Sequence, residues 1–492
     1  MSETYIISID QSTQGTKALL FDQEGALLKR EDLPHRQIVN EKGWVSHDPE
    51  EIYSNTVQVV KNLINTAGIN PDQVAGIGIS NQRETSVVWD KKTGHPMADA
   101  VVWQCARAAE ICERPEIQQQ KDQIRECTGL MLSPYFPAAK LAWIVENAQG
   151  AKEKAKNHEL CYGTMDSWLV YKLTCGASYK TDYSNASRTQ LFNIFDLSWD
   201  EEICGIFGID ARDMAEVCDS DSCFGMTDFE GTFEKMIPIH SVLGDSHAAL
   251  FGQGCLKEGM IKSTYGTGSS IMMNIGEKPV LSTHGVVTSL AWGMDGKINY
   301  VLEGNVNYTG AVITWLKDDV ELIQSPAETE SLCMRAEPDD ELYLIPAFTG
   351  LGAPYWDSHA KGSLTGITRT TRKAEIVRAG IECIAYQIAD VAEAMSQDAG
   401  VPVCQLRVDG GPTGNQYLMQ FQSDILDAKV LVPDAEELSG IGAAYAAGRG
   451  LGIYKEDVFD RLNRKEYLPK MEQERRKKKC EGWGKAVQSV LK

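Results

Sequence analysis

The sequence predicts an α/β fold containing parallel sheet, and three observations point to it. Strand-like and helix-like runs alternate throughout the chain. Strand-like runs repeatedly end in polar loops. The opening stretch "YIISIDQSTQGTKALLFD", an apolar run, a hydroxyl-rich glycine turn and a second apolar run, is echoed by "MIKSTYGTGSSIMMNIG", which suggests a duplicated fold. At 492 residues the chain exceeds what one core supports, so two to four domains of roughly 150 residues are expected. The division falls near Gly252–Gly259, in "GQGCLKEG", giving halves 1–253 and 254–492 that face a shared cleft.

Taken in order, the first hairpin places Asp10 where its leading strand breaks into the turn Gln11–Gly15. In "SHDPEEIYSNTVQVVKNLINTAGI", Asp48 can cap a helix, Pro49 suits its first position, and Ile52, Val59, Val60, Leu63 and Ile64 fall on one face. "DQVAGIGIS" reads as a buried strand ending at Ser80, and the polar "NQRE" follows where open α/β sheets bind ligands. "SVLGDSHAALFGQG" carries Asp245 after an apolar run and before a small-residue helix. After the second hairpin, Ile376, Val377, Ile381, Ile384, Ile388 and Val391 keep helical spacing, before the strand "QLRVD" opens into "GGPTGN". The charged tail "QERRKKKCEGWGKAVQSVL" reads as a solvated terminal helix.

With 43% apolar and 24% charged residues, the composition is that of a folded globular protein. A net charge of -21 repels nucleic acid and anionic membranes, so a polyanionic ligand would have to be held locally. A cleavable leader and an 18-residue apolar run are both missing from the sequence, which points to the cytoplasm. Thirteen cysteines without a CxxC read as reduced thiols rather than a disulfide framework. Cys218 and Cys223 are closely spaced, but no nearby histidine completes a zinc set.

Both glycine turns suit phosphate, because backbone N–H groups can point inward while hydroxyls add hydrogen bonds without bulk. Neither fits the P-loop pattern, and each alone could be a plain tight turn; the pair, with Lys17 after the first, favours a polyphosphate. Asp10 beside the turn could hold a hydrated divalent ion. Phosphoryl transfer also needs an acid placed to take the acceptor's proton, and Asp245 is the candidate, unless it merely caps its helix. His247 receives no role. Arg83 and Glu84 form either a surface ion pair or a fork reading hydroxyls, and Trp103 and Tyr135 offer aromatic faces for a polyol or belong to the core.

Together these residues resemble the FGGY carbohydrate kinases, closest to their glycerol kinase branch. The resemblance covers nearly the whole chain, through "GWVSHDPEEIY", "GIGISNQRET", "VVWQCARAAEICE", "TDYSNASRTQLFNI", "AFTGLGAPYWD" and "LMQFQSDIL". "YFPAAKLAWIVEN" fits the first family signature at every position; "GSLTGITRTTRKAEIVRAGIECIAYQ" fits the second except at Gly380. The resemblance implies two actin-like, ribonuclease-H-like domains closing on ATP and a small acceptor, with transfer to a primary hydroxyl. It makes Asp245 the base and puts Asp10 near Mg2+. Thr13, Gln14, Gly15 and Lys17 become the first phosphate hairpin, and Gly266, Thr267 and Gly268 the second. Gly310, Gly411 and Asn415 fall in the nucleoside pocket, and Arg83, Glu84, Trp103 and Tyr135 on the acceptor. A homo-oligomer, dimer or tetramer, is also implied.

Departures bear on the acceptor. Ser246 stands where that branch generally has Gln, and Ser270 where it has an aromatic wall, so both substrate-contacting positions enlarge the pocket. Lys17 replaces a frequent Arg. Glu234 occupies a loop that some relatives use to bind fructose 1,6-bisphosphate and would repel it, and Thr232 leaves no histidine where some relatives are phosphorylated. Glycerol is the expected acceptor, with a tetritol such as erythritol, a pentitol or xylulose as the rival. From another class, an actin-like ATPase would need no small acceptor.

Overall fold

The structure, a computed structural model, describes residues 3–491. Its first sheet begins with strand β1 (Tyr5–Gln11), buried at every position, and returns through β2 (Gly15–Phe21) and β3 (Leu27–Pro34). Helix α1 (Pro49–Ala67) follows. The Asp48 side chain accepts from the Glu50 N–H, and Gly68 ends the helix in the left-handed region at φ 66°, where only glycine is unstrained. Its five predicted apolar positions are all buried. Strand β4 (Val74–Asn81) then lies parallel to β1 and ends one residue later than its sequence pattern suggested.

The chain next builds a five-stranded sheet that includes β5 (Ser86–Asp90) and β6 (Leu160–Thr164). It rejoins the first sheet through β7 (Gly225–Thr227) and β8 (Ile237–Gly244), whose end launches helix α2 (Asp245–Gly252). The first sheet thus has the order β7-β8-β4-β1-β2-β3.

The second sheet repeats the device. Strands β9 (Ile261–Tyr265) and β10 (Ser269–Asn274) form a hairpin, followed by β11 (Val287–Met294) and β12 (Lys297–Val306). Helix α3 (Lys373–Ala399) leads to β13 (Gln405–Asp409), which pairs parallel to β9 as β4 pairs with β1. Helix α4 (Gln416–Leu426), β14 (Lys429–Pro433), helix α5 (Leu438–Gly450), β15 (Arg464–Tyr467) and helix α6 (Gln473–Gln488) complete the chain. The sheet order is β11-β12-β10-β9-β13-β14-β15.

The halves are not separate packages. Helix α5, from the second, lies on α2 and on β1, β4 and β8 of the first. A Cβ on Gly442 would meet the Ala248 carbonyl oxygen at 1.8 Å, and one on Gly78 the Ala443 oxygen at 2.2 Å. Only glycine permits this approach of backbones. A hydrophobic cluster around Leu19, Phe251, Trp292 and Tyr445 draws side chains from both halves.

The tail corrects its sequence reading. It is helical, but Trp483 and Val487 are buried, and Trp483 stacks on Tyr386 at 4.9 Å with ring planes 8° apart. The charge run hid an apolar stripe at helical spacing. All thirteen cysteines are free. Among the described residues, no helix is long and apolar enough to cross a membrane.

Candidate active site

The ends of β1, β4 and β8 meet the β9–β10 hairpin across a cavity of about 470 Å³. Thr13, Arg83, Glu84, Trp103, Tyr135, Asp245 and Ser246 line it from the first half; Thr267, Gly268 and Ser270 face them from the second. The parallel register explains the first group: Asp10 pairs with Ser80 and Gly244 with Asn81, so three strands deliver their polar ends to one edge.

Each glycine turn is closed by its own backbone. Ser12 N–H donates to the Gly15 carbonyl at 2.9 Å, and Gly266 N–H to the Gly268 carbonyl at 2.8 Å. Gly15 and Gly268 leave no room for a Cβ, which would lie 2.6 Å from the Leu33 oxygen and 2.3 Å from the Val306 oxygen. Gln14 is exposed at the first turn. Gly310 N–H donates to the Gly266 carbonyl at 2.9 Å, tying the next segment to the second turn.

Asp10 is buried, with Ser80 Oγ donating to its Oδ1 at 3.0 Å and Lys17 Nζ 3.8 Å from Oδ2. Burial pushes its carboxyl up to about 6, Lys17 opposes this, and the charge of Asp245 adds to it. Lys17 also donates to Glu437 Oε2 at 2.7 Å, so its ammonium already carries two acids.

Asp245 occupies the first turn of α2, while Gly244 takes the capping position. Its Oδ1 accepts from the Ser246 N–H at 2.6 Å and lies 3.3 Å from Arg83 Nε; the side chain is 36% exposed to the cavity. His247, next in the helix, is fully buried, and burial and the Arg83 charge hold it neutral, well below the ordinary histidine range.

The Arg83–Glu84 pair is neither a surface bridge nor a free fork. Arg83 Nη1 and Nη2 each donate at 2.8 Å to the two oxygens of Glu303, on β12 of the other half. Arg188 Nε donates to Glu84 Oε1 at 2.6 Å, and its Nη1 lies 3.0 Å from Glu303 Oε2. All four are buried. Burial alone would push Glu303 up, yet Arg188 and Arg83 hold its carboxyl well below the usual range. Arg83 therefore turns its Nε edge, not its full fork, towards Asp245.

Sequence reasoning missed Glu303 and gave Arg188 no role. A signal was present: a lone Glu in the apolar run "YVLEGNV" is rarely buried unless paired.

Trp103 Nε1 donates to Thr13 Oγ1 at 3.0 Å, linking the aromatic wall to the first turn, and the Trp103 and Tyr135 rings meet edge to face at 5.8 Å. Behind them Lys140 is fully buried and donates to the Tyr135 carbonyl; burial brings its ammonium down to about 7 against the pull of Glu84. Gly411 and Asn415 lie away from this cavity. Gly411 opens a short 3-10 turn after β13. The Asn415 side chain accepts from the Leu418 N–H as the cap of α4 and donates to Thr329 Oγ1 at 2.9 Å.

Residues 5–252 match the sequence profile of the N-terminal domain of the FGGY family of carbohydrate kinases, and residues 261–451 that of its C-terminal domain. The glycerol kinase of Bacillus velezensis is 46% identical over 492 residues, covering 99% of each chain. That of Bacillus subtilis is 44% identical over 492 residues with the same coverage. The crystal structure of Plasmodium falciparum glycerol kinase with ADP matches with a TM-score of 0.93 at 35% identity, covering 99% of this chain and 98% of that one. A xylulose kinase from Lactobacillus acidophilus, at 20% identity and a TM-score of 0.88 over 99% of this chain and 97% of its own, shares the fold.

Proposed function

The chain belongs to the FGGY family of carbohydrate kinases, and on that premise we propose that it transfers the γ-phosphate of ATP to a terminal hydroxyl of glycerol. The observation that carries this reading is the single cavity in which Asp245, Arg83, Glu84, Trp103 and Tyr135 face the second glycine turn. Relatives of 44–46% identity over the full length are glycerol kinases.

In this reading Trp103 and Tyr135 pack on the carbon chain, while Glu84 and the remaining N–H groups of Arg83 hold hydroxyls. Asp245 Oδ1 is already engaged by Ser246 and Arg83, so Oδ2 is the atom that receives the proton as the acceptor oxygen attacks. The two turns hold the phosphates by their N–H groups, with Lys17 beside the first. Gly310, Gly411 and Asn415 shape the nucleoside end, Asn415 by fixing the start of α4.

Asp10 is the acid available to a magnesium ion. Its fit rests on a buried carboxylate that accepts from Ser80 Oγ and has Lys17 Nζ 3.8 Å away, beside turns whose ligand would supply the remaining oxygens. When bound, the ion neutralises charge on the outer phosphates. We place the protein in the cytoplasm, acting on a small molecule as a homo-oligomer.

Asp245→Asn tests the assignment. Turnover with glycerol is expected to fall about 10²–10⁴-fold with ATP binding retained. Equal losses in both would make Asp245 structural, and ATP hydrolysis at one rate with and without glycerol would favour an ATPase instead.

A further inference from the structure

The wall opposite Trp103 and Tyr135 is polar and uncommitted. On β12 the side chains alternate between faces, so Glu303, Asn305 and, just past its end, Asn307 share one face. Ser270 on β10 pairs directly with Asn305 and stands on that face as well. Glu303 fixes the face against the acceptor site through Arg83. Beyond it, Ser270, Asn305 and Asn307 line the cavity.

Ser270 Oγ is buried without a hydrogen-bond partner among the described residues. Asn305 is half-buried and Asn307 exposed at the cavity wall, so both amides are open to a ligand there. Neighbouring Ser269, by contrast, is engaged with Thr309 Oγ1 at 2.7 Å. A buried hydroxyl facing a cavity is costly to leave unpaired, and two amides offer donors and acceptors at fixed strand spacing. In the kinase reading a three-carbon acceptor engages Arg83, Glu84 and the aromatic pair, and none of its hydroxyls is assigned to this wall.

We propose that Ser270, Asn305 and Asn307 read the distal hydroxyls of an acyclic polyhydroxylated acceptor of four or five carbons, extending the activity beyond glycerol. The inference rests on the kinase reading above. Its chemistry is the same. The acceptor's terminal oxygen bonds to the γ-phosphorus, its proton passes to Asp245, the bond from that phosphorus to the β,γ-bridging oxygen breaks, and ADP leaves.

The test measures ADP release with ATP and Mg2+ for glycerol, erythritol, threitol, ribitol, xylitol, arabitol, ribulose and xylulose. At least one four- or five-carbon acceptor is expected to have a kcat/KM equal to or above that of glycerol. In Ser270→Ala, Asn305→Ala or Asn307→Ala, the ratio of its kcat/KM to that of glycerol is expected to drop roughly tenfold or more. The same acceptor should raise the unfolding temperature of the wild type more than that of the variants, which separates lost recognition from lost folding. If glycerol turns over and every longer acceptor falls below it, or if the ratio moves in none of the three variants, the inference is overturned while the kinase reading stands. If no acceptor is phosphorylated, both fall.

Discussion

Replacing Glu303 with Gln perturbs a buried side chain that, with Glu84, joins both arginines of the site. Glu303 has no solvent exposure, receives two bonds of 2.8 Å from Arg83 and lies 3.0 Å from Arg188. Gln keeps the shape but sets an amide N–H₂ against guanidinium donors, leaving two buried cations to Glu84 and the partly exposed Asp245. Removing one partner of a buried pair costs about 3–5 kcal/mol. At about 2–4 °C per kcal/mol for a domain of this size, the unfolding temperature is expected to drop by roughly 6–20 °C. Chemistry should suffer separately. Arg83 Nε sits 3.3 Å from Asp245 Oδ1, and a base displaced by about 1 Å loses on the order of 10²-fold in rate. The assays are denaturant unfolding and steady-state kinetics at a temperature where the variant stays folded. A variant within about 1 kcal/mol of the wild type, with kcat preserved, would refute the claim that this carboxylate positions Arg83 across the halves.

Two further outcomes are expected. Gly442→Ala puts a Cβ 1.8 Å from the Ala248 carbonyl, a clash with backbone rather than with a movable side chain, and should destabilise by about 3 kcal/mol or more in thermal unfolding; a shift of under 2 °C would show that α2 and α5 do not cross so closely. For Asp10, burial raises the folded value to about 6 from 3.8, so the native state binds the proton more tightly and the group opposes folding increasingly as pH rises through that window, by up to about 3 kcal/mol. Asp10→Asn in nucleotide-free protein should therefore melt higher than the wild type at pH 8 and alike near pH 4, while losing kinase activity; a variant less stable at pH 8 would reverse that sign.

What the sequence made legible was whatever its neighbours along the chain determine. The capped helix at Pro49–Ala67, the strand Gln405–Asp409 and both glycine hairpins were readable because spacing, caps and turn residues act within a few positions. The candidate acid at 245 was readable too, from a strand end and the helix start that follows it. The terminal helix was half legible, since Lys and Arg dominate its composition while Trp483 and Val487 determine its docking. Arg83 shows where local reading stops. "NQRET" displays an Arg beside a Glu, and adjacency suggests that they serve each other. In the fold the Arg fork goes to a carboxylate 220 residues on, and Glu84 goes to an Arg 104 residues away. Neither partner can be assigned without knowing which strand faces which. Burial supplies the missing constraint, because a carboxylate in an apolar strand is tolerable only when fixed cations meet it. Glu303 therefore requires a cationic surface from beyond its own sheet, and that requirement, rather than any local motif, is what ties the half bearing the second glycine turn to Arg83 and, through it, to Asp245.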